Sequence, residues 1–158
     1  MNIETERKFL VRDDSFKSEA VRTLRIKQGY IAHDAGRTVR VRIADDKGFL
    51  TIKGPSMNGG VSRFEWEREI PLQDAEDLML LCKDGKIDKT RFIIPTANGR
   101  KFEVDEFYGD NEGLVMAEIE LGSEDEAYER PSWLGDEVTG DKRYYNSHLL
   151  TYPFKDWK

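Results

Sequence analysis

Like-charged residues recur two positions apart along this 158-residue chain. Residues at i and i+2 of a β-strand point to the same face, so each such pair would place two like charges side by side. Carboxylates pair in this way at Glu4/Glu6, Glu103/Asp105 and Glu118/Glu120, and cations pair at Arg40/Arg42 and Lys89/Arg91. Carboxylates suit Mg²⁺ or Mn²⁺, and Arg and Lys suit phosphate oxygens. The pairs therefore indicate a ligand that carries both negative and positive charge, such as a polyphosphate with bound divalent cations.

Alternation of polar and apolar residues with a period of two surrounds these pairs and predicts β-strands. The segments that show it are residues 3–11, 39–43, 49–53, 64–70, 89–94, 102–105 and 117–121. Their polar faces are almost purely ionic. Hairpin turns are predicted at Asp46-Lys47-Gly48, at Asn58-Gly59-Gly60 and at Asn98-Gly99.

Helical patterns lie between the strands. They predict a helix from Asp14 or Ser15 to about Leu24, a helix over 74–83, a helix over 141–150 and a short helix over 124–129. The second of these would turn Ala75, Leu78, Met79 and Cys82 inward. Such apolar stripes must dock on other apolar surfaces, and the backs of the strands are the surfaces that the sequence offers.

Helices on the outside would turn the ionic strand faces toward one another. The sequence therefore predicts an α+β fold, in which a closed antiparallel β-barrel of about eight strands forms a charged tunnel with helices packed outside. We expect one domain over residues 1–158. A half-solvated open sheet would explain any single strand, but it does not explain why the charges are sorted by sign.

Composition excludes several other classes of protein. The net charge of −6 and the absence of a basic stripe argue against a duplex nucleic-acid binder. No apolar run is long enough for a bilayer, and no leader pattern precedes the first strand. The single Cys82 fits a reducing cytoplasm and reads as a packed core residue. We expect a cytoplasmic monomer or homodimer.

The opening Ile3-Glu4-Thr5-Glu6-Arg7-Lys8 resembles the Glu-x-Glu-x-Lys signature of the CYTH family, the triphosphate tunnel metalloenzymes. Further blocks follow in the family's order over essentially the whole chain. They are Gln28-Gly29-Tyr30, Val39-Arg40-Val41-Arg42, Leu50-Thr51-Ile52-Lys53-Gly54, Glu65-Trp66-Glu67, Ile87-Asp88-Lys89-Thr90-Arg91, Glu103-Val104-Asp105, Ala117-Glu118-Ile119-Glu120 and Val138-Thr139-Gly140-Asp141. The chain is most similar to the short, single-domain bacterial members.

The resemblance implies a role for each matched residue. The residues that would bind the phosphate chain are Lys8, Arg40, Arg42, Lys53, Lys89, Arg91 and Lys142. Glu4, Glu6, Glu118 and Glu120 would bind one or two Mg²⁺ or Mn²⁺ ions. Glu65, Glu67 and Asp105 would be further ligands or would support the ligands from nearby. For these last three, ion pairing with opposing Arg and Lys residues is the alternative. For Lys142, the alternative is a solvated helix face.

The same resemblance implies that the catalytic residues are Glu4, Glu6, Lys8 and Tyr30. Tyr30 with Lys8 resembles a Lys–Tyr pair that would help to deprotonate water. The alternative is that Tyr30 packs at the tunnel edge. The implied activity is metal-dependent hydrolysis of a small triphosphate, with tripolyphosphate preferred because the sequence offers no base-stacking platform. The alternatives are an adenylate cyclase of the class IV type, a thiamine or nucleotide triphosphatase, and a polyphosphate-binding module without catalysis.

Overall fold

The computed structural model describes residues 2–157. Within that range the strands are β1 Ile3–Val11, β2 Arg22–Asp34, β3 Arg37–Ala44, β4 Lys47–Met57, β5 Ser62–Ile70, β6 Ile87–Pro95, β7 Lys101–Phe107, β8 Val115–Glu120 and β9 Leu134–Glu137. The α-helices are α1 Leu72–Met79 and α2 Asn146–Leu149. Short 3-10 helices span Ser15–Glu19, Asn58–Gly60, Gly109–Asn111, Lys142–Tyr144 and Phe154–Asp156.

Eight of these strands close into an antiparallel barrel. Their order around the barrel is β5-β4-β3-β2-β6-β7-β8-β1, and β1 pairs again with β5 to complete the ring. Strand β9 pairs with Phe9 and Val11 of β1, beyond the residues Ile3–Thr5 that pair with β5. The predicted closed barrel of about eight strands is therefore confirmed. Closure removes the exposed strand edges and leaves one enclosed interior face, on which inward residues alternate with outward ones.

Helix α1 packs against the outer face of β2, β3 and β4. Ala75, Met79 and Cys82 are buried there with Val41. The close approach depends on glycine, since a Cβ on Gly29 would lie 2.6 Å from the Cys82 sulfur. A Cβ on Gly48 would likewise lie 2.6 Å from the Cβ of Ala75. The predicted apolar stripe is correct, although the helix begins at Leu72 and ends at Met79 rather than spanning 74–83.

A second apolar cluster covers the outer face of β1, β6, β7 and β8. Trp133 is fully buried at its centre and packs edge-on against Phe102, with ring centroids 5.3 Å apart, and against Phe16 at 5.9 Å. Such aromatic pairs contribute about 0.5–1.5 kcal/mol each beyond the area that they bury. This packing fixes the backs of the strands that carry the carboxylate pairs.

The C-terminal segment covers one end of the barrel. Tyr144 and Leu149 pack there with Ile87, Phe107 and Met116. The predicted helix over 141–150 is replaced by the 3-10 helix Lys142–Tyr144 and the short α2. The two are separated because Tyr145 has an extended backbone, with φ −71° and ψ 133°.

Two other helix predictions were wrong. The helix expected from Asp14 or Ser15 to Leu24 is a 3-10 helix that ends at Glu19, because Ala20 is extended and β2 begins at Arg22. The segment 124–129 is not helical. Instead, the Glu126 carboxylate accepts two hydrogen bonds from Arg100 and one from the Gly122 amide, and these contacts hold the segment as a loop. Among residues 2–157, no helix has the length and apolarity needed to span a membrane.

Candidate active site

The barrel encloses a cavity of about 200 Å³. Its wall is almost entirely polar. The lining residues are Glu4, Glu6, Lys8, Tyr30, Thr38, Arg40, Arg42, Thr51, Lys53, Arg63, Glu65, Glu67, Lys89, Arg91, Glu103, Glu118, Glu120, Tyr145, Asn146 and Ser147. A cavity of this kind can hold one small, highly charged ligand.

The charges on the wall are divided between two halves of the barrel. Lys53, Arg40, Arg42, Lys89 and Arg91 lie on β4, β3 and β6, and β2 stands between β3 and β6. The carboxylates of the wall lie on β7, β8, β1 and β5, which are the other four neighbouring strands. Lys8 on β1 and Arg63 on β5 are the exceptions. The sorting by sign seen along the sequence thus becomes a cationic half that faces a carboxylate half.

Glu6 and Glu118 form the centre of the carboxylate half. Burial, together with the negative charges of Glu118 and Glu4, raises the pKa of Glu6 well above its usual value. Burial alone would also raise the pKa of Glu118, but Lys8 and a hydrogen bond from Glu6 lower it well below its usual value. Two buried carboxylates in one cavity repel each other when both are ionised, so one of them favours its protonated form.

Glu4, Glu65 and Glu120 surround this centre. Burial opposes ionisation of Glu4, but Lys53, at 3.0 Å from its carboxylate, lowers the pKa of Glu4 below the usual value. Burial and the neighbouring Glu4 raise the pKa of Glu65 to about 7. Burial and Glu4 also raise the pKa of Glu120. The concentration of carboxyl groups therefore favours protons in this half of the cavity, or another positive charge in their place.

The carboxylate half fits a divalent cation. Its donors are hard oxygens, which Mg²⁺ and Mn²⁺ prefer, and a cation would relieve the repulsion that holds a proton on Glu6. No three acidic, His or Cys side chains among the described residues form a ready-made ligand cluster. The expected ligands Glu4, Glu6, Glu118 and Glu120 nevertheless line the same cavity on the neighbouring strands β1 and β8. Mg²⁺ commonly binds through only one or two carboxylates and keeps several waters.

Among the described cations that line the cavity, Arg42 has the fewest partners. Its Nε donates to Gln28 Oε1 at 2.8 Å, and no carboxylate of the described residues forms a salt bridge with it. Burial, with the nearby Arg40 and Arg91, lowers the pKa of Arg42 to about 9, so the guanidinium is still charged at neutral pH. A buried guanidinium without a carboxylate is costly unless an anion binds to it.

Arg40 also keeps part of its hydrogen-bonding capacity unused. One terminal nitrogen contacts Thr51 at 3.1 Å and Glu67 at 3.4 Å. Its Nε is buried and has no hydrogen-bond partner among the described residues. Glu67 accepts a shorter hydrogen bond from Thr51, at 2.7 Å, and is one of the more exposed side chains of the wall. For Glu67 this geometry favours ion pairing with Arg40 over metal binding.

Asp105 forms salt bridges with two cations, Arg91 and Lys89. Arg91 binds its carboxylate through two hydrogen bonds of 2.8 and 2.9 Å, and Lys89 Nζ lies 2.7 Å away. Burial would raise the pKa of Asp105, but Arg91 and Lys89 lower it well below the usual range. Asp105 is not part of the cavity lining. These contacts favour the alternative in which Asp105 orients cations instead of binding a metal.

Lys8 lies among carboxylates on the β1 side of the cavity. Its ammonium is 3.6 Å from Glu118 and 3.9 Å from Glu6, and it lies over the ring of Tyr145 at 5.3 Å from the centroid. Burial opposes its charge, but Glu118 and Glu6 raise the pKa of Lys8 above its usual value. Lys8 is therefore a fixed positive charge at neutral pH. Tyr30 lines the same cavity, and its hydroxyl accepts from Gln28 Nε2 at 3.3 Å.

Lys142 is the one predicted phosphate-binding residue that the structure places away from the cavity. Lys142 is exposed in the 3-10 helix Lys142–Tyr144 and is not part of the lining. The prediction for Lys142 assumed one continuous helix over 141–150, and the extended Tyr145 interrupts that helix. The structure therefore fits the alternative in which the side chain of Lys142 is solvated and does not reach the cavity.

Several residues in or next to the cavity wall were given no role from the sequence. Gln28, which is fully buried, and Asn146 connect the cations, while Thr51 contacts both Arg40 and Glu67. Gln28 could have been found, because it is two positions before Tyr30 and so shares its strand face. Asn146 and Tyr145 carried no such signal, since they reach the cavity from the C-terminal segment.

Comparison with known proteins agrees with this architecture. A model of the CYTH domain matches residues 2–146. An inorganic triphosphatase of Acetivibrio thermocellus is 48% identical over 159 residues, covering 100% of this chain and 99% of that protein. An inorganic triphosphatase of Nitrosomonas europaea is 36% identical over 149 residues, covering 92% and 95%.

Solved structures show the same fold. A crystal structure of an inorganic triphosphatase superimposes with a TM-score of 0.65 at 34% identity, covering 93% of this chain and 97% of that one. A conserved hypothetical protein of Pyrococcus furiosus superimposes with a TM-score of 0.61 at 23% identity, covering 77% and 80%, and supports the fold alone. The family match, the identities and the closed, charge-divided barrel lead to one conclusion: the chain belongs to the CYTH domain family.

Proposed function

We propose that this protein is a divalent-metal-dependent hydrolase of inorganic triphosphate. The observation that carries the proposal is the division of the cavity wall, in which Arg42 faces the lumen without a carboxylate while Glu6 and Glu118 crowd together opposite. A linear triphosphate bound with a divalent cation supplies the negative charge that one half lacks and the positive charge that the other half lacks. The relatives named as inorganic triphosphatases support the same substrate.

The cationic half is proposed to bind the phosphate chain. Arg40, Arg42, Lys53 and Arg91 present charged donors to the lumen, and Lys8 adds one from the opposite side. Guanidinium groups can bind phosphate oxygens in a bidentate manner, and they stay charged throughout the reaction. The wall of the cavity is almost entirely polar, which favours the bare inorganic substrate over an ester that carries an apolar group.

The carboxylate half is proposed to hold one or two Mg²⁺ or Mn²⁺ ions through Glu4, Glu6, Glu118 and Glu120. When bound, such a cation neutralises phosphate oxygens and lowers the pKa of a bound water. Glu65 is the further carboxylate best placed to assist, because it lines the cavity and shares the ammonium of Lys53 with Glu4, at 3.5 and 3.0 Å. Asp105 and Glu67 act in this proposal through the cations that they orient.

The chemistry is in-line attack by water on a terminal phosphorus. One P–O bond forms to the water oxygen and one bridging P–O bond breaks, so that tripolyphosphate yields orthophosphate and pyrophosphate. Phosphoryl transfer needs mainly positioning and neutralisation of charge, and both halves of the wall supply these. Lys8 cannot accept a proton while it remains an ammonium, so we assign it to a phosphate oxygen. Tyr30 is the candidate for a hydrogen bond to the attacking water.

Three further expectations belong to the same proposal. They are a single domain over residues 1–158, a monomer or homodimer in solution, and a cytoplasmic location. Cys82 is buried under α1 and suits a reducing compartment, where it needs no partner.

A panel of substrates tests the proposal. Tripolyphosphate, ATP, thiamine triphosphate and long-chain polyphosphate would each be incubated with Mg²⁺, with Mn²⁺ and with chelator, and the products identified. We expect metal-dependent orthophosphate release, fastest with tripolyphosphate. Cyclic AMP appearing with pyrophosphate would indicate a cyclase, and binding without turnover in either metal would indicate a binding module.

A further inference from the structure

Gln28 makes hydrogen bonds to three residues inside the barrel. Its Oε1 accepts from Arg42 Nε at 2.8 Å, and its Nε2 donates to Asn146 Oδ1 at 3.1 Å and to the Tyr30 hydroxyl at 3.3 Å. The side chain is 0% exposed. Since only the amide oxygen can accept from a guanidinium, the orientation of this amide is unambiguous.

Asn146 continues the same network. Its Oδ1 accepts from Lys89 Nζ at 2.8 Å as well as from Gln28. Two neutral amides, one from β2 and one from the start of α2, therefore link a cation on β3 to a cation on β6. Asp105 and Arg91 continue the network beyond Lys89.

The contact to Arg42 decides which guanidinium nitrogens are available to a ligand. Gln28 uses Nε, the nitrogen nearest the backbone, and the two residues are directly paired across β2 and β3. The two terminal nitrogens of Arg42 are thereby left for the lumen. Holding a long side chain in one rotamer before the ligand arrives lowers the entropic cost of binding.

The neutrality of Gln28 matters as much as its position. A carboxylate in this place would also accept from Nε, but it would cancel the charge that attracts the phosphate chain. The opposite case stands beside it, because Arg91 is held by the carboxylate of Asp105. Gln28 thus orients a cation without neutralising it.

We propose that Gln28 is a positioning residue that aims Arg42 at the phosphate chain. The inference rests on the proposed function, since it takes a linear phosphate as the ligand. Gln28 itself acts through Arg42 and touches no reacting atom in this account.

A double-mutant cycle tests the proposal. Gln28→Met keeps the size of the side chain and removes its hydrogen bonds, and it would be made both in the parent protein and in Arg42→Ala. Gln73→Met serves as the matched control, because Gln73 is an exposed glutamine on α1. Affinity for tripolyphosphate would be measured by calorimetry in chelator, and KM and kcat would be measured with Mg²⁺.

We expect Gln28→Met to weaken binding and raise KM by about tenfold in the parent, as for a hydrogen bond to a charged group, with kcat changed less than about twofold. In the Arg42→Ala background the same substitution should change affinity by less than about twofold, because the residue that it positions is gone. An equal loss in both backgrounds, or no loss in the parent, would overturn the proposal.

Gln28→Glu is the second variant, and it is decisive if Gln28→Met does not fold. It keeps an acceptor for Arg42 and adds a negative charge, so it should bind tripolyphosphate more weakly than the parent by at least about tenfold. Parental affinity in this variant would also overturn the inference. Binding in chelator needs no turnover, so a parent protein that binds without hydrolysing would contradict the proposed function alone.

Discussion

Glu6 and Glu118 lie on the neighbouring strands β1 and β8 on either side of one ammonium, with Lys8 Nζ 3.9 Å from Glu6 and 3.6 Å from Glu118, and their pKa values are displaced in opposite directions. Burial and the adjacent negative charges raise the pKa of Glu6, while Lys8 lowers the pKa of Glu118. Glu6 therefore favours its protonated form beside an ionised Glu118. A divalent cation that replaces this proton would leave both carboxylates ionised as ligands.

Glu6→Gln should separate stability from activity. In chelator, Gln resembles the protonated Glu6 in shape and in charge, so the free energy of unfolding should change by less than about 1 kcal/mol. With Mg²⁺, turnover should fall at least about 100-fold, because an amide is a poor substitute for a carboxylate ligand. Chemical denaturation and phosphate release measure the two effects. Retained turnover would remove Glu6 from the metal site.

Glu118→Ala should abolish metal-dependent turnover while the protein still folds. The substitution removes an ionised carboxylate and leaves Lys8 with fewer partners. We expect a loss of at least about 100-fold, measured as orthophosphate release at saturating Mg²⁺. Glu76→Ala, at an exposed position of α1, is the matched control and should behave like the parent. Equal turnover by Glu118→Ala and the parent would refute the assignment of Glu118 as a ligand.

Glu65 should make stability depend on pH in the absence of metal. Its pKa is about 7 in the folded protein, against 4.5 for a Glu side chain that is free in solution. The folded state therefore keeps a proton that the unfolded chain has released, and this contribution to stability is lost as pH rises through about 7. Glu65→Gln mimics the protonated form at every pH. In chelator, its melting temperature relative to the parent should rise between pH 5 and pH 8.

Other groups that titrate in this range affect the melting temperatures of Glu65→Gln and of the parent alike, so their contribution cancels in the difference. Glu76→Gln should show no such trend, since Glu76 lies outside the barrel. A difference in melting temperature between Glu65→Gln and the parent that stays constant from pH 5 to pH 8 would show that Glu65 is not crowded by Glu4. Adding Mg²⁺ to the parent should raise its melting temperature most at pH 8, where protons compete least for the carboxylates.

Arg40→Ala should chiefly weaken the binding of substrate. Arg40 is buried and carries an Nε without a partner among the described residues, so a bound phosphate would satisfy it. Loss of a hydrogen bond to a charged group predicts an increase in KM of roughly 10- to 100-fold. Steady-state kinetics with tripolyphosphate measure this. An unchanged KM would contradict a phosphate-binding role for Arg40.

The ionic strands could be predicted because their two faces differ so strongly. The strand prediction for residues 3–11 has the bounds of β1, and the sorted charges on the later strands do line one cavity. Strand β2 was missed for a physical reason. Its Leu24 and Ile26 face the inside of the barrel while Arg25 and Lys27 are exposed outside, which reverses the pattern of the other strands.

The partners of each charge could not be predicted, because they depend on the register between strands. Asp105 looks like a metal ligand in the sequence, but it lies opposite Arg91 in the pairing of β6 with β7 and is bound by it. The roles of Asn146 and Tyr145 depend on where the C-terminal segment crosses the end of the barrel, and local sequence does not encode that. Only the assembled structure shows Arg42 with Gln28 in place of a carboxylate.

The most direct test of the charge-divided cavity as a triphosphatase site is phosphorus NMR of tripolyphosphate incubated with the purified protein. With Mg²⁺ or Mn²⁺, we predict equal amounts of orthophosphate and pyrophosphate, with neither product in chelator or with Glu118→Ala. If the parent protein with either metal left tripolyphosphate intact, or if chelator did not slow its breakdown, the account would be contradicted.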